Sequence, residues 1–249
     1  MPEPVLVAVA HGSADPRAAA TVADLMATVA ARAPARGLSV PDLRTAYLGH
    51  AAPSLAQVMQ TAEGQVTVLP LLLTAAYHSK ADIPRVLARC GPHRVSYGAT
   101  LGPHPLLLRA LERRLAETAA PDAGDTDPGR TGVVLAAAGS SDPEANATIA
   151  RLAARWQAEA EWFAVRPAYA SAATPSPAAA VTGLLQAGAS RVLVATYLLA
   201  PGFFADRVRA SSLAAGAAAV AAPLGAADEV ADVLLDRYQE ARSLRRTAA

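Results

Sequence analysis

The chain repeats itself. Ala10-His-Gly-Ser-Ala-Asp-Pro16 returns as Ala137-Ala-Gly-Ser-Ser-Asp-Pro143. Arg44-Thr-Ala-Tyr47 with Pro53-Ser54 returns as Arg166-Pro-Ala-Tyr169 with Pro175-Ser176, and Leu101-Gly102 with Arg114 returns as Leu224-Gly225 with Arg237. The matches keep their order and a nearly constant separation. A tandem duplication explains this, and whatever one half folds into, the other must fold into as well.

Each copy alternates short apolar runs with helical patterns. Val5–Ala10, Ser39–Tyr47, Val66–Leu73 and Val95–Gly98 read as strands of the first copy. Val22, Leu25, Met26 and Val29 recur at i, i+3, i+4 and i+7, which is one face of a helix. Asp15-Pro16 and Asp142-Pro143 set a capping acid before a proline at the first helical position, and Asp82-Ile83-Pro84 resembles them at longer spacing. Further helices are expected at Pro53–Ala62, Pro105–Thr118 and Ala227–Arg242.

Near-continuously apolar strands alternating with helices imply parallel sheets covered on both faces. The expected fold is therefore α/β, with two tandem Rossmann-like lobes, each a small parallel sheet flanked by helices, facing one another across a cleft. Residues 1–118 form the first lobe and 133–249 the second; 119–132, dense in Pro, Gly and Asp and without periodicity, are the linker.

Composition removes other classes. Charged residues make up 17% and hydrophobic residues 53%, so the chain has a core to bury and is not disordered in bulk. A formal net charge of +1 argues against a nucleic-acid binder. The single cysteine, Cys90, cannot build a disulfide, a zinc ribbon or an iron–sulfur site, and suits a reducing cytoplasm. No apolar run has the length or purity of a membrane span, and the start lacks the basic, apolar pattern of a secretory signal. Neither a Walker lysine motif nor Gly-x-Gly-x-x-Gly is present, which leaves nucleotide-driven chemistry unsupported.

Histidine is where the copies part. All five (His11, His50, His78, His93 and His104) lie in the first copy. His11 aligns with Ala138, His50 with Ala172, His78 with Phe204 and His104 with Ala227. Scaffold is retained twice and imidazole once, so imidazole has a local task. A lone histidine is ordinarily a satisfied core or capping group. His11 and His78, however, each follow a strand, and ligands of open parallel sheets bind outside the carboxyl ends of strands. His50 follows the second strand and divides evenly between ligand and scaffold. His104, in Gly102-Pro103-His104-Pro105, reads as a turn residue, and His93 as surface.

Imidazole, with an unperturbed pKa near ~6.5, both accepts protons and binds divalent iron, cobalt, nickel or zinc. Two or three such ligands make a weak, open site from which a metal can be passed on, rather than a permanent cage.

At these residues a family resemblance becomes specific. Val5-Leu-Val-Ala-Val-Ala-His11-Gly-Ser-Ala-Asp-Pro16, followed by Leu69-Pro-Leu-Leu-Leu-Thr-Ala-Ala-Tyr-His78-Ser-Lys-Ala-Asp-Ile-Pro84, resembles the class II sirohydrochlorin chelatases of siroheme and cobalamin synthesis. The likeness covers essentially the whole chain, in the long, two-lobed form whose N-terminal lobe keeps the histidines. Leu199-Ala-Pro-Gly-Phe-Phe-Ala-Asp-Arg207-Val208 is similar to the inactive lobe.

What the resemblance implies is ATP-independent insertion of a divalent metal (Fe²⁺ or Co²⁺, or Ni²⁺) into sirohydrochlorin. His11 and His78 then bind the metal and abstract protons. The metal is a substrate, and no permanently bound cofactor is expected. Many relatives carry an acid where this chain has Gly49, so His50 is a candidate third ligand. Ser13, Lys80 (the only lysine) and Arg207 are candidate partners for the substrate's carboxylate arms. For Ser13, a purely structural turn is an equal reading, since Ser140 keeps it; Lys80 divides equally between substrate contact and solvent exposure. The chain is expected to be cytoplasmic and monomeric, without nucleic-acid or membrane partners. The alternative is a non-catalytic carrier or sensor of metal or tetrapyrrole using the same cleft.

Overall fold

The computed structural model describes residues 4–40, 42–90, 94–118 and 127–247. They form two compact units, Met1–Leu107 with Gly225–Ala249, and Leu108–Leu224. In the first, β1 (Val5–Ala10), β2 (Asp42–Tyr47), β3 (Gln65–Pro70) and β4 (Arg94–Tyr97) make a parallel sheet of order β2-β1-β3-β4. In the second, β5 (Thr131–Ala137), β6 (Ala164–Tyr169), β7 (Arg191–Tyr197) and β8 (Ala219–Val220) repeat it as β6-β5-β7-β8. Register repeats too: Ala10 lies opposite Tyr47 as Ala137 lies opposite Tyr169. β1 and β5 are buried along their whole length, as expected for central strands with both faces covered.

The helix starts work as their sequences suggest. Asp15 accepts the Arg17 N–H at the head of α1 (Pro16–Arg32), and Asp142 accepts the Glu144 N–H at the head of α5 (Pro143–Glu159). Ser54 and Gln57 close a capping box on α2 (Leu55–Thr61), and Ser176 caps α6 (Pro177–Gln186). Val22, Leu25, Met26 and Val29 are the buried face of α1. α2 and α3 (Ile83–Leu87) cover one face of the first sheet, packing Leu55, Val58, Met59 and Ile83 on Val5, Val7, Val9, Val66 and Val68. Two strands are shorter than expected. β2 begins at Asp42, and β3 stops at Pro70, because after Leu71 donates to the Val9 carbonyl the chain leaves the ladder.

One assignment differs from a linear division at 118 and 133. α8 (Asp228–Thr247), the last helix of the second repeat, packs on α1, β3 and β4 in the first unit. α4 (Pro105–Thr118) contributes Leu108 onward to the second, where Glu112 accepts the Trp156 indole N–H of α5 at 3.0 Å. Arg32 of α1 binds Asp228 and Asp232 of α8 (2.9 and 2.6 Å), and Arg36 binds Asp236. The repeat arginines mirror one another. Arg237 of α8 donates to the carbonyls of Thr100 and Leu101 ahead of α4, and Arg114 of α4 donates to the Leu224 carbonyl ahead of α8. Since α4 and α8 are repeats of each other, either suits either sheet, and pattern alone cannot say which pairing occurs. β5 also starts at Thr131, inside the expected linker; residues 119–126 and His93 lie outside the described residues.

His104 is a turn residue, as its sequence setting suggests. Its Nδ1 accepts the Leu106 N–H at 3.2 Å, and Nε2 lies 3.6 Å from Asp236. Burial, reinforced by the Arg237 charge, holds this imidazole below its ordinary range, outweighing Asp236. The folded state therefore binds fewer protons here than the unfolded state. His104 should contribute stability at neutral pH that drains away as pH falls below about 6.5. His104→Asn, which can still accept the Leu106 N–H, is expected to show a shallower loss of denaturant midpoint between pH 7 and 5. An unchanged slope would remove His104 from the acid response.

Among the described residues, no helix is long and apolar enough to cross a membrane.

Candidate active site

In both sheets the chain passes from the central strand to one neighbour and then crosses to the other. The strand order therefore reverses between β1 and β3, and between β5 and β7. Loops diverge at such a point and leave room for a ligand beyond the carboxyl ends of the two strands. His11 is the first residue after β1, and His78 follows β3 by a short loop. Their rings lie 4.5 Å apart, centre to centre, at 77°. Two imidazoles on one tetrahedral ion, with metal–nitrogen bonds of about 2.0–2.1 Å, would have centres roughly 5 Å apart. The pair is thus at sharing distance, with His11 exposed and His78 partly so.

Why His11 faces outward is a backbone matter. Gly12 sits at φ +89°, and a Cβ there would collide with the Gly49 carbonyl, so only glycine fits. The turns after β1 and β2 are stitched by Gly49 N–H to His11 O (3.1 Å) and Leu48 N–H to Ala10 O. The second unit repeats this with Gly139 at φ +84° and Ser171 N–H to Ala138 O. His11 Nδ1 lies 3.0 Å from the Gly12 carbonyl. A carbonyl can only accept, so that contact puts the proton on Nδ1 and leaves the Nε2 lone pair available.

His78 opens a π turn, His78–Asp82, that leads into α3. Such turns are uncommon and concentrate at functional sites. Ser79 is buried and its hydroxyl exchanges hydrogen bonds with Ala76, while the Tyr97 hydroxyl of β4 donates to the Ser79 carbonyl at 2.7 Å. Burial pushes the Tyr97 phenol up to about 12, so it remains a donor throughout the neutral range. His78 Nδ1 meets Asp82 Oδ2 at 2.7 Å.

His50 stands farther off, its ring 6.5 Å from that of His11 and within 22° of parallel. It adopts φ 58°, which is unusual for a residue with a Cβ, yet Ala172 adopts φ 56° at the same place. The backbone bend thus belongs to the scaffold and the imidazole is an addition to it. Among the described residues, no group of three or more His, Cys, Asp or Glu side chains is placed to hold an ion. The convergent pair is His11 and His78.

The other candidates fall as follows. Ser13 Oγ accepts the Asp15 N–H at 3.1 Å, as Ser140 Oγ accepts the Asp142 N–H at 3.0 Å. That hydroxyl serves the turn in both units. Lys80 is exposed on the π turn beside His78. Arg207 is exposed on α7 (Phe203–Ala214) of the second unit. Phe204, which occupies the His78 position in the second repeat, and its neighbour Phe203 are exposed and in edge contact.

Two features escaped the sequence reading. Asp82 looks like a helix cap, but its side chain makes no capping bond and turns to His78 instead. The His-x-x-x-Asp spacing was the available signal. Tyr97 had none, since its role depends on β4 lying beside β3.

The family model CbiX matches residues 5–118 and 132–241. A sirohydrochlorin cobaltochelatase of Priestia megaterium is 28% identical over 174 residues, which is 67% of this chain and 56% of the relative. A sirohydrochlorin ferrochelatase of Bacillus subtilis (strain 168) is 26% identical over 179 residues, 69% of this chain and 66% of the relative. The matches therefore span just over half to two thirds of these relatives' lengths. Among solved structures, SirB from Bacillus subtilis with Fe³⁺ superposes with a TM-score of 0.77 at 24% identity, covering 96% of this chain and 95% of that one. CbiX, described as the terminal enzyme of siroheme biosynthesis in denitrifying bacteria, gives 0.71 at 24% identity over 96% and 99%. At these identities the structural likeness speaks for the fold.

Proposed function

The chain belongs to the CbiX family, and from that premise we propose that it inserts a divalent metal, Fe²⁺ or Co²⁺ (or Ni²⁺), into sirohydrochlorin without ATP. The observation that carries this is the His11–His78 pair, 4.5 Å apart at the reversal point of its sheet, with no counterpart in the repeat.

The chemistry asks for little else. Metallation displaces two protons from ring nitrogens while the ion exchanges its ligands one at a time. His11 and His78 offer Nε2 lone pairs to a loosely held ion. As the ion moves to the ring nitrogens, an imidazole that lets go becomes a base within reach of the leaving protons. Two ligands hold the ion weakly enough to give it up. Imidazole accepts iron, cobalt and nickel alike, so comparison of anaerobic rates with each ion identifies the physiological metal.

The substrate carries carboxylate arms, and Lys80, exposed on the π turn, is a point charge that would meet one. Lys80→Ala is expected to raise KM for sirohydrochlorin roughly two- to fivefold, the scale of one exposed ion pair, with kcat nearly unchanged. An unchanged KM would return Lys80 to solvent. Ser13 belongs to this reading as a further contact to those arms.

The function is tested by absorbance. Protein, Co²⁺ and sirohydrochlorin are mixed, and the metallation rate is compared with that of Co²⁺ and tetrapyrrole alone. Acceleration with repeated turnover supports a chelatase. Binding of metal or tetrapyrrole without acceleration would make the protein a carrier.

A further inference from the structure

Asp82 stands before its helix without capping it, unlike the other N-cap aspartates among the described residues. Asp15, Asp142 and Asp127 each accept a backbone N–H two residues ahead, whereas Asp82 makes no such bond. Its Oδ2 lies 2.7 Å from His78 Nδ1, and its Oδ1 lies 3.4 Å from Arg85 Nη1. Arg85 in turn reaches the Tyr77 hydroxyl at 3.4 Å through Nη2. The carboxylate is thus held on one side and presented to imidazole on the other.

The π turn makes this possible. The Ile83 N–H closes on the His78 carbonyl, five residues apart, so the first turn of the helix is wider than an α-turn. Tyr97 and Ser79 pin that wider turn to the sheet and to the preceding loop.

The acid has a chemical consequence for His78. An ionised carboxylate has no proton to give, so a hydrogen bond to it fixes the proton on Nδ1 and directs the Nε2 lone pair outward. The negative charge also makes that lone pair a stronger donor, as carboxylate partners do for metal-ligating histidines. His11 has only a neutral carbonyl at the same position. The two imidazoles are therefore electronically unequal, with His78 the stronger ligand.

We propose that Asp82 is a positioning residue for His78: it sets the tautomer and ring orientation through which His78 takes the metal. The inference rests on the chelatase reading for its use in turnover, but not for its effect on Co²⁺ binding or on the tautomer.

The test is a double-mutant cycle on the full chain, read by Co²⁺ titration without tetrapyrrole and by long-range ¹H–¹⁵N NMR of the histidine rings. In the wild type, His78 is expected as the Nδ1–H tautomer. In Asp82→Ala the Nε2–H form should appear and Co²⁺ affinity should fall about 10- to 100-fold. The double variant His78→Ala/Asp82→Ala should bind Co²⁺ no more weakly than His78→Ala alone, because an acid that acts only through His78 has nothing left to act on. Asp82→Leu, which is close in shape but can neither accept a hydrogen bond nor carry charge, carries the same measurements if the alanine variant folds poorly. An unchanged tautomer, wild-type Co²⁺ affinity in the Asp82 variants, or additive losses in the cycle would overturn the proposal. Wild-type protein that binds Co²⁺ but leaves sirohydrochlorin unmetallated would instead overturn the chelatase reading alone.

Discussion

His11→Ala and His78→Ala are each expected to lower the rate of sirohydrochlorin metallation by two orders of magnitude or more while the protein stays folded. The loss follows from role. On the proposed reading each imidazole is one of the two convergent lone pairs found among the described residues, and each would serve as a base beside the ring nitrogens, a function typically worth about 10²–10⁴ in rate. Stability should change by no more than about 1 kcal/mol, the scale of partly exposed substitutions and of one surface ion pair. The repeat supplies the argument in advance. With Ala138 and Phe204 at these places, the second unit builds the same sheet with the same register and the same turn glycine. Steady-state rates and thermal melts check both halves. Wild-type turnover in either variant would remove that residue from the site, and a large drop in melting temperature would make it scaffold.

Leu234→Ala is expected to cost about 2–5 kcal/mol and to weaken the histidine-bearing sheet, although Leu234 lies near the far end of the chain. Leu234 is fully buried, as are Val230, Val233 and Tyr238 on the same helix. Their helix α8 packs on α1, β3 and β4. Truncation to alanine leaves a cavity there that the packed neighbours cannot fill. Hydrogen exchange reads the location: amides of β1, β3 and β4 should lose protection first, with β5–β7 less affected. Earlier loss in β5–β7 would mean that α8 supports the sheet it follows in sequence, contrary to the exchange of helices described above.

Much of this was legible beforehand, for reasons that can be named. β1 was delimited to the residue because Val5–Ala10 is apolar throughout and is followed by the polar His11-Gly12-Ser13. The starts of α1 and α5 followed from Asp-Pro, whose mechanism is local. The pairing of His11 with His78 followed from parallel topology together with the blank positions in the repeat. What remained hidden was non-local or degenerate. The sequence cannot assign α4 and α8 to sheets, since the duplication makes them interchangeable. Tyr97 reaches Ser79 only because β4 lies beside β3. Asp82 misled because acid before proline usually caps, and only the π turn redirects it to His78. His50 was legible as a strand-end histidine but not as a left-handed residue standing 6.5 Å from His11.

The duplication also explains the economy of the site. A reversal point with a turn glycine and stitched loops is a scaffold feature, and both units retain it. On the proposed reading, chemistry then needs only two side chains and the acid that orients one of them. The second unit keeps the opening in its sheet order and carries Ala138 and Phe204 where the first carries His11 and His78.

Metal coordination itself is the most direct measurement. Crystals of the wild-type protein soaked in Co²⁺ and measured at the cobalt absorption edge should show one anomalous peak, within bonding distance of Nε2 of both His11 and His78. A peak that engages neither imidazole, or only one of them with the other turned away, would contradict the account at its centre.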